Sequence, residues 1–354
     1  MVVAIGVLDS PQGVEARALI KALPKVQLHC HLEGTVRPAA FLALARKHGV
    51  DLGPRRGIEL ERLYDFTTFL EFLMLFRAVS ETLRAPSDFA QIARDYIVEA
   101  AAQNVRYAEL FISPSVWTYF QPDLDVRATL QAIRETLDDE GARYGMEVAL
   151  IADLTRNFGP ERALQTAQLV ASMSAEFGIV GVGLGGDEVK WAPELFAQAF
   201  AYARERGLHC VAHAGEAMGA SSVRGAVDVL GAERIGHGVR ALEDPELVAE
   251  LAERKIALEI CPTSNRLTGA VSADIPHPIA EFDARGVVCV IDADDPALFG
   301  TSLVDEYLLV ADWLGIEAVV RMARNAIEAS FAAPAQKARL LAEFERARPP
   351  RKDC

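Results

Sequence analysis

Residues 26–34 read VQLHCHLEG. The run is apolar but for Gln27, two imidazoles and, near its end, Glu33, and side chains along a strand alternate with period two. His29 and His31 therefore share one face, and Cys30 turns to the other. A pair of hydrogen-bonded core histidines fits that pattern, and so does half of a metal site. The wider sequence decides what kind of strand this is. Runs of the same character recur at VRYAELFI (105–112), EVALIADL (147–154), VGVGLGG (180–186), HCVAHAGE (209–216), RIGHG (234–238), IALEICP (256–262) and VCVIDADD (288–295). They are largely continuous apolar stretches rather than alternations, which suits parallel strands covered on both faces.

Helical patterns lie between them: 122–145, 160–178, 193–207, 244–255 and 276–286. Each starts near a proline and several end at glycine, the usual punctuation of a helix. Strands alternating with helices over this length predict an α/β fold, a closed (β/α)8 TIM-type barrel. An open doubly wound sheet is the alternative. It more often carries a glycine-rich phosphate loop after its first strand, and this chain has none there. Residues 1–347 are expected to form one barrel domain. The connection 35–104 is abnormally long and is expected to be a helical insertion, part core and part lid over the barrel mouth. Further helices follow over 303–347, and the tail 348–354 is expected to be disordered.

Composition narrows the partners. About half of the 354 residues are apolar, ample for a large core, and the net charge is −14. Such a surface repels nucleic-acid phosphates and anionic membranes, so no nucleic acid and no membrane are expected. A small neutral or weakly charged substrate is easier to accommodate. No apolar run is long enough for a membrane span, and the N-terminus lacks the basic start and long apolar stretch of a signal peptide. The five cysteines, at 30, 210, 261, 289 and 354, form no disulfide framework. A cytoplasmic location is expected. Oligomeric state is not legible.

The misplaced polar residues carry the function. His29 and His31 close the first strand, Gly185 to Glu188 follow the fourth, and His213 to Glu216 close the fifth. His237 ends the sixth, and Asp294 and Asp295 end the eighth. In a (β/α)8 barrel these ends converge on one rim, where active sites form. Of the seven histidines, four fall there. Imidazoles with a carboxylate suit one zinc ion with a position left for water. His29, His31, His213 and Asp294 are the expected ligands. Bound zinc would lower the pKa of water and supply hydroxide. His237 is expected to orient that hydroxide, with a fourth nitrogen ligand as the alternative. Glu216 suits a general acid/base, and Asp295 a hydrogen bond to substrate. Gly186 lets a ligand ring approach the backbone. Asp187 and Glu188 either serve the site or cap the next turn. His48, His209 and His277 are read as structural or solvent-facing.

The motifs HCHLEG, GLGGDE, HAGE, RIGHG, EICPTSN and DADDP resemble, in order and spacing, those of the adenosine deaminase family in the amidohydrolase superfamily. The resemblance spans roughly residues 24–331. It implies a barrel holding one catalytic zinc on His29, His31, His213 and Asp294. Glu216 would donate a proton to purine N1, and His237 would align the hydroxide. Gly186 would offer its N–H to N3, Asp295 would contact N7, and ammonia would leave from C6. Superfamily members with two metals usually place a carboxylated lysine at the end of strand four. Here that end is Gly185–Gly186, and Lys190 lies beyond it.

Substrate choice rests on departures from the family pattern. Adenosine-specific members usually carry Asp where this chain has Glu33, at a sugar-contacting position, and a basic residue where it has Phe111. Adenine-specific members share the Glu but replace GDE by a serine-rich element. The mixture resembles the bacterial deaminases of aminodeoxyfutalosine, an adenine nucleoside extended at its 5′ side in menaquinone synthesis. Arg37, or an arginine of the long insertion, would then meet the substrate carboxylate. Adenosine or 2′-deoxyadenosine deamination is the alternative, then adenine deamination or another amidohydrolase reaction. A binding protein on the same scaffold would be expected to lose Glu216 or a ligand, and none is missing.

Overall fold

The computed structural model describes residues 11–348. Eight parallel strands run in sequence order around one sheet: β1 (Lys25–His31), β2 (Val105–Ile112), β3 (Glu147–Asp153), β4 (Ile179–Gly183), β5 (His209–Ala214), β6 (Arg234–His237), β7 (Ala257–Ile260) and β8 (Cys289–Ile291). The ring is completed by a parallel bridge between Cys30 and Asp294, where the His31 and Asp294 N–H groups donate to the Asp294 and His29 carbonyls. The architecture is the expected (β/α)8 barrel. Nearly every strand residue is buried, as a sheet lined inside by side chains and outside by helices requires.

Helix boundaries follow local chemistry. The Thr68 side chain accepts from the Glu71 N–H and opens Phe69–Ser80. Asp125 caps Val126–Tyr144, which ends on Gly145 in the left-handed region, and Asp244 caps Pro245–Arg254. Three expectations shift. The 160–178 pattern breaks into Gly159–Ala171 and Ser174–Phe177, and 276–286 shortens to Ile279–Ala284. Helical turns over 220–230 arise where no helix is predicted.

Within the long connection after β1, Pro86–Ala102 packs against Val126–Tyr144 and leads directly into β2. The helix Phe69–Ser80 contributes residues to the wall of the cavity at the carboxyl ends of the strands. Helices Leu303–Leu314, Ile316–Ala329 and Pro334–Ala347 follow β8. Cys30, Cys210, Cys261 and Cys289 are buried free thiols. Cys354 and the expected disordered tail, apart from Arg348, lie outside the described residues. Among the described residues no helix is long and apolar enough to cross a membrane.

Candidate active site

Every strand-end residue singled out above lies at the carboxyl rim or directly beneath it. A cavity of about 430 Å³ opens there, lined by His31, His213, His237, Glu216, Asp294, Asp295 and Gly186, among others. His29 sits fully buried just beneath. Several strands stop sooner than the sequence suggests, and just at or beyond two of these ends His237 (φ 63°) and Asp294 (φ 59°) occupy the left-handed region. Such backbone is costly for non-glycine residues and clusters at functional sites. Both side chains line the cavity.

Four groups converge. His31 Nε2 lies 3.2 Å from His213 Nε2, and Asp294 Oδ1 lies 3.4 Å from His31 Nε2 and 3.5 Å from His29 Nε2. The edges of a tetrahedron with bonds of about 2.0–2.1 Å are about 3.3–3.4 Å. His29 Nε2 is buried with no hydrogen-bond partner. Imidazole nitrogens gathered around one carboxylate, His29, His213 and His237 with Asp294 and His31 with Asp294 and Asp295, are satisfied by a cation rather than by one another. The donor set therefore fits a divalent metal. His237 also brings a nitrogen within reach of His29, His213 and Asp294, but its Nδ1 pairs with Asn265 at 3.0 Å and its Nε2 stands 3.9 Å from Asp294 Oδ2.

Behind these groups lies a layer the sequence reading misses. His29 Nδ1 donates to Glu259 Oε2 at 2.7 Å, which leaves Nε2 as the free lone pair. Glu259 pairs with Arg234 at 2.6 Å, and Arg234 pairs with Glu109 at 2.7 Å, all fully buried. Burial would push the Glu259 carboxyl up, but Arg234 and His29 outweigh it and hold the pKa below the ordinary value. Ser264 donates to Asp294 Oδ2 at 2.7 Å. Gly236 passes so close that a Cβ there would stand 2.7 Å from His29 Cε1.

Glu188 resolves the choice between site and cap. Its carboxylate accepts the backbone N–H groups of Gly215, Glu216, Ala217 and Met218 at 2.7–3.2 Å. It clamps the loop that carries Glu216. Asp187 merely caps the next turn at Lys190. Burial, with the Asp294 and Glu188 charges, raises the Glu216 pKa well above the ordinary range and favours the protonated acid. Asp295 is raised likewise by burial and by Asp294.

Glu33 is fully buried behind the cavity wall, where its Oε1 accepts from Ser113 N–H and Trp117 Nε1. Arg37 pairs with Glu99 on the surface, away from this cavity. Arg77, from the long insertion, does line it; its Nε donates to Glu81 at 2.8 Å and its guanidinium lies 4.4 Å from the Phe120 ring centroid. Phe111 packs against the His29 and His31 rings. His48 pairs with Asp88, and His209 stacks on Phe331. Two further groups, at and just beyond the end of β3, lie outside the expected set. Asp153 lines the cavity, its pKa raised to about 6 by burial, and Arg156 donates to the His213 carbonyl at 2.5 Å. Asp153 carries the same signal as its neighbours, a polar residue closing an apolar run.

A (β/α)8 barrel with a histidine–aspartate cluster at its carboxyl rim and a buried acid beside it defines a metal-dependent hydrolase of the amidohydrolase type. The sequence profile of adenosine deaminase matches residues 24–347. The chain belongs to the adenosine deaminase family and is a hydrolytic deaminase acting on the C–N bond of an adenine-type substrate. The aminodeoxyfutalosine deaminase of Streptomyces avermitilis is 37% identical over 346 residues, 97% of this chain and 96% of that one. The adenine deaminase of Rhodospirillum rubrum is 38% identical over 331 residues, 92% and 97% of the two chains. An amidohydrolase from Burkholderia ambifaria, crystallised with bound zinc, superposes with a TM-score of 0.86 at 29% identity, over 98% of this chain and 95% of that one.

Proposed function

We propose that this enzyme hydrolyses the 6-amino group of aminodeoxyfutalosine, using one zinc ion per chain. His29, His31, His213 and Asp294 would hold the ion, which when bound would lower the pKa of water and supply the nucleophile. The chain's own groups do the rest. Gly186 and Asp295 orient the purine through N3 and N7. Glu216, protonated, delivers its proton to N1 and makes C6 electrophilic. His237 holds the incoming oxygen in line with C6. The C6–N bond then breaks, a proton passes to the leaving nitrogen, and ammonia and the 6-oxopurine product depart.

One observation carries the substrate. The cavity continues outward from the histidine cluster under Phe69–Ser80, between Phe69, Leu73, Tyr119, Phe120 and Phe158, and Arg77 stands on that wall. Its size lies in the range that encloses drug-sized ligands rather than a bare base. An aromatic channel with a guanidinium suits a nucleoside extended at its 5′ side and ending in a carboxylate. Glu33, whose carboxyl is pushed up to about 7 by burial, shapes the wall through Trp117 and Ser113. Turnover on aminodeoxyfutalosine, 5′-substituted adenosines, adenosine and adenine tests this. The extended nucleoside should have the highest kcat/KM, and Arg77→Met should cut its value roughly tenfold to a hundredfold while leaving adenosine unchanged. A preference for adenine would favour the reading that the Rhodospirillum relative suggests, and would overturn this one.

A further inference from the structure

The contact between Asn265 and His237 continues one residue further, to His277, and both Asn265 and His277 are buried. The Ile279 backbone N–H points at His277 Nδ1 at 3.2 Å. A backbone N–H only donates, so His277 Nδ1 accepts, and the proton of that neutral ring sits on Nε2. His277 Nε2 meets Asn265 Oδ1 at 3.3 Å. That contact requires the amide oxygen there and fixes which way the amide faces. The other end of the same amide, Nδ2, lies 3.0 Å from His237 Nδ1 and donates to it. His237 Nδ1 therefore accepts, which places its proton on Nε2. That nitrogen faces the space between Glu216 Oε2, at 3.6 Å, and Asp294 Oδ2, at 3.9 Å.

We infer that Asn265 and His277 are positioning residues that set the tautomer of His237, so that it presents an N–H and not a lone pair to the oxygen that adds to C6. The chain of donors starts at a group that cannot reverse, so the polarity is set through both intermediates. It also assigns work to neighbouring residues of one short helix, Pro262–Leu267. Ser264 holds Asp294, and Asn265 holds His237. His277 is kept in place by stacking on Trp313, with ring centroids 5.3 Å apart. A lone pair at Nε2 would compete for the proton of the incoming water instead of holding the oxygen.

The kinetic consequence rests on the deaminase reading above; the tautomer does not. The zinc-loaded enzyme, labelled with ¹⁵N-histidine and assigned against His237→Gln, should show an unprotonated Nδ1 on His237. In Asn265→Asp, whose carboxylate can only accept, Nδ1 should become protonated. The value of kcat should fall about 10²–10³-fold, with KM within about threefold and zinc content unchanged. His277→Leu, which frees the amide to rotate, should lower kcat about tenfold, and His277→Gln, which restores an N–H to Asn265 Oδ1, should recover most of it. A protonated Nδ1 in the unsubstituted enzyme would overturn the relay. So would equal activity in the His277→Leu and His277→Gln variants, or a loss in Asn265→Asp that tracks lost zinc. Absent deamination with the expected Nδ1 signal would sink the functional reading and leave the relay standing.

Discussion

Replacing Glu188 tests whether a buried carboxylate holds the catalytic loop. The side chain is 3% exposed and accepts four consecutive backbone N–H groups, one on Oε1 and three on Oε2. Hydrogen bonds to a charged acceptor contribute about 1.5–3 kcal/mol each when taken singly. They do not add, because water enters the vacated space and the loop relaxes. The loss expected for Glu188→Ala is therefore nearer about 3–5 kcal/mol, that of stripping one partner from a buried charged contact. Glu188→Gln keeps one acceptor oxygen but turns an NH₂ group toward a donor, and should cost about 1–3 kcal/mol. Activity should respond more steeply than stability. A shift of about 1 Å in the loop misplaces Glu216, and a shift of that size costs on the order of 10²-fold in kcat. The charge also matters, because the Glu188 carboxylate helps to raise the Glu216 pKa. In the proposed mechanism Glu216 acts in its protonated form, so activity should fall as pH rises through that raised pKa. Glu188→Gln should shift the alkaline limb of kcat/KM to lower pH. Chemical denaturation, zinc content and pH–rate profiles of both variants provide the assay, with Asp187→Ala as a control expected to cost only about 1 kcal/mol, as for a lost cap. Wild-type kcat within threefold and an unmoved alkaline limb in Glu188→Ala would refute the clamp.

Glu216→Gln should retain the fold and the metal but lose several orders of magnitude in kcat, measured by single-turnover kinetics beside zinc stoichiometry. Glu259→Gln should weaken metal affinity about 10–100-fold in chelator competition, because His29 loses the carboxylate that fixes its proton on Nδ1. Glu306, buried between Thr263 and Thr301, has a carboxyl pKa raised from 4.5 to about 7 by burial. Its protonated form stabilises the fold fully below pH 4.5, and this contribution, roughly 3 kcal/mol at most, is lost as pH rises through 7. Urea unfolding should show the wild-type enzyme losing stability relative to Glu306→Gln between pH 4.5 and 8, and the reverse slope would contradict the assignment.

What the sequence makes legible follows from where strands end. A parallel barrel must gather the carboxyl ends of its strands on one rim, so a polar residue closing an apolar run already has a place in space. That reasoning brings His29, His31, His213, His237, Glu216, Asp294 and Asp295 together without any contact being known. Strand lengths are less legible. VCVIDADD reads as one run, yet β8 stops at Ile291 and RIGHG stops at His237. The left-handed backbone at Asp294 and His237 has no marker, since neither residue is glycine. The same blindness affects Glu33. Its position beside the HCH motif says that it is near the metal, not that Trp117 and Ser113 hold its carboxylate behind the wall.

The second layer is illegible for a different reason. Glu109, Arg234 and Glu259 are isolated charges within or opening three separate apolar runs. Only the barrel's register brings them together: β6 and β7 pair Arg234 with Ala257 and Gly236 with Glu259. That geometry places Arg234 between two carboxylates and lets Glu259 reach up to His29. A charge fully buried without partners would cost many kcal/mol. A lone charge in an apolar strand thus predicts a partner without naming it. Asn265 and His277 are harder still, because their value lies in the direction of a hydrogen bond. That direction is set by the Ile279 N–H, a backbone group present in any sequence. Residues that do chemistry are read from where the strands end. Residues that make those groups competent are read only from which atom faces which.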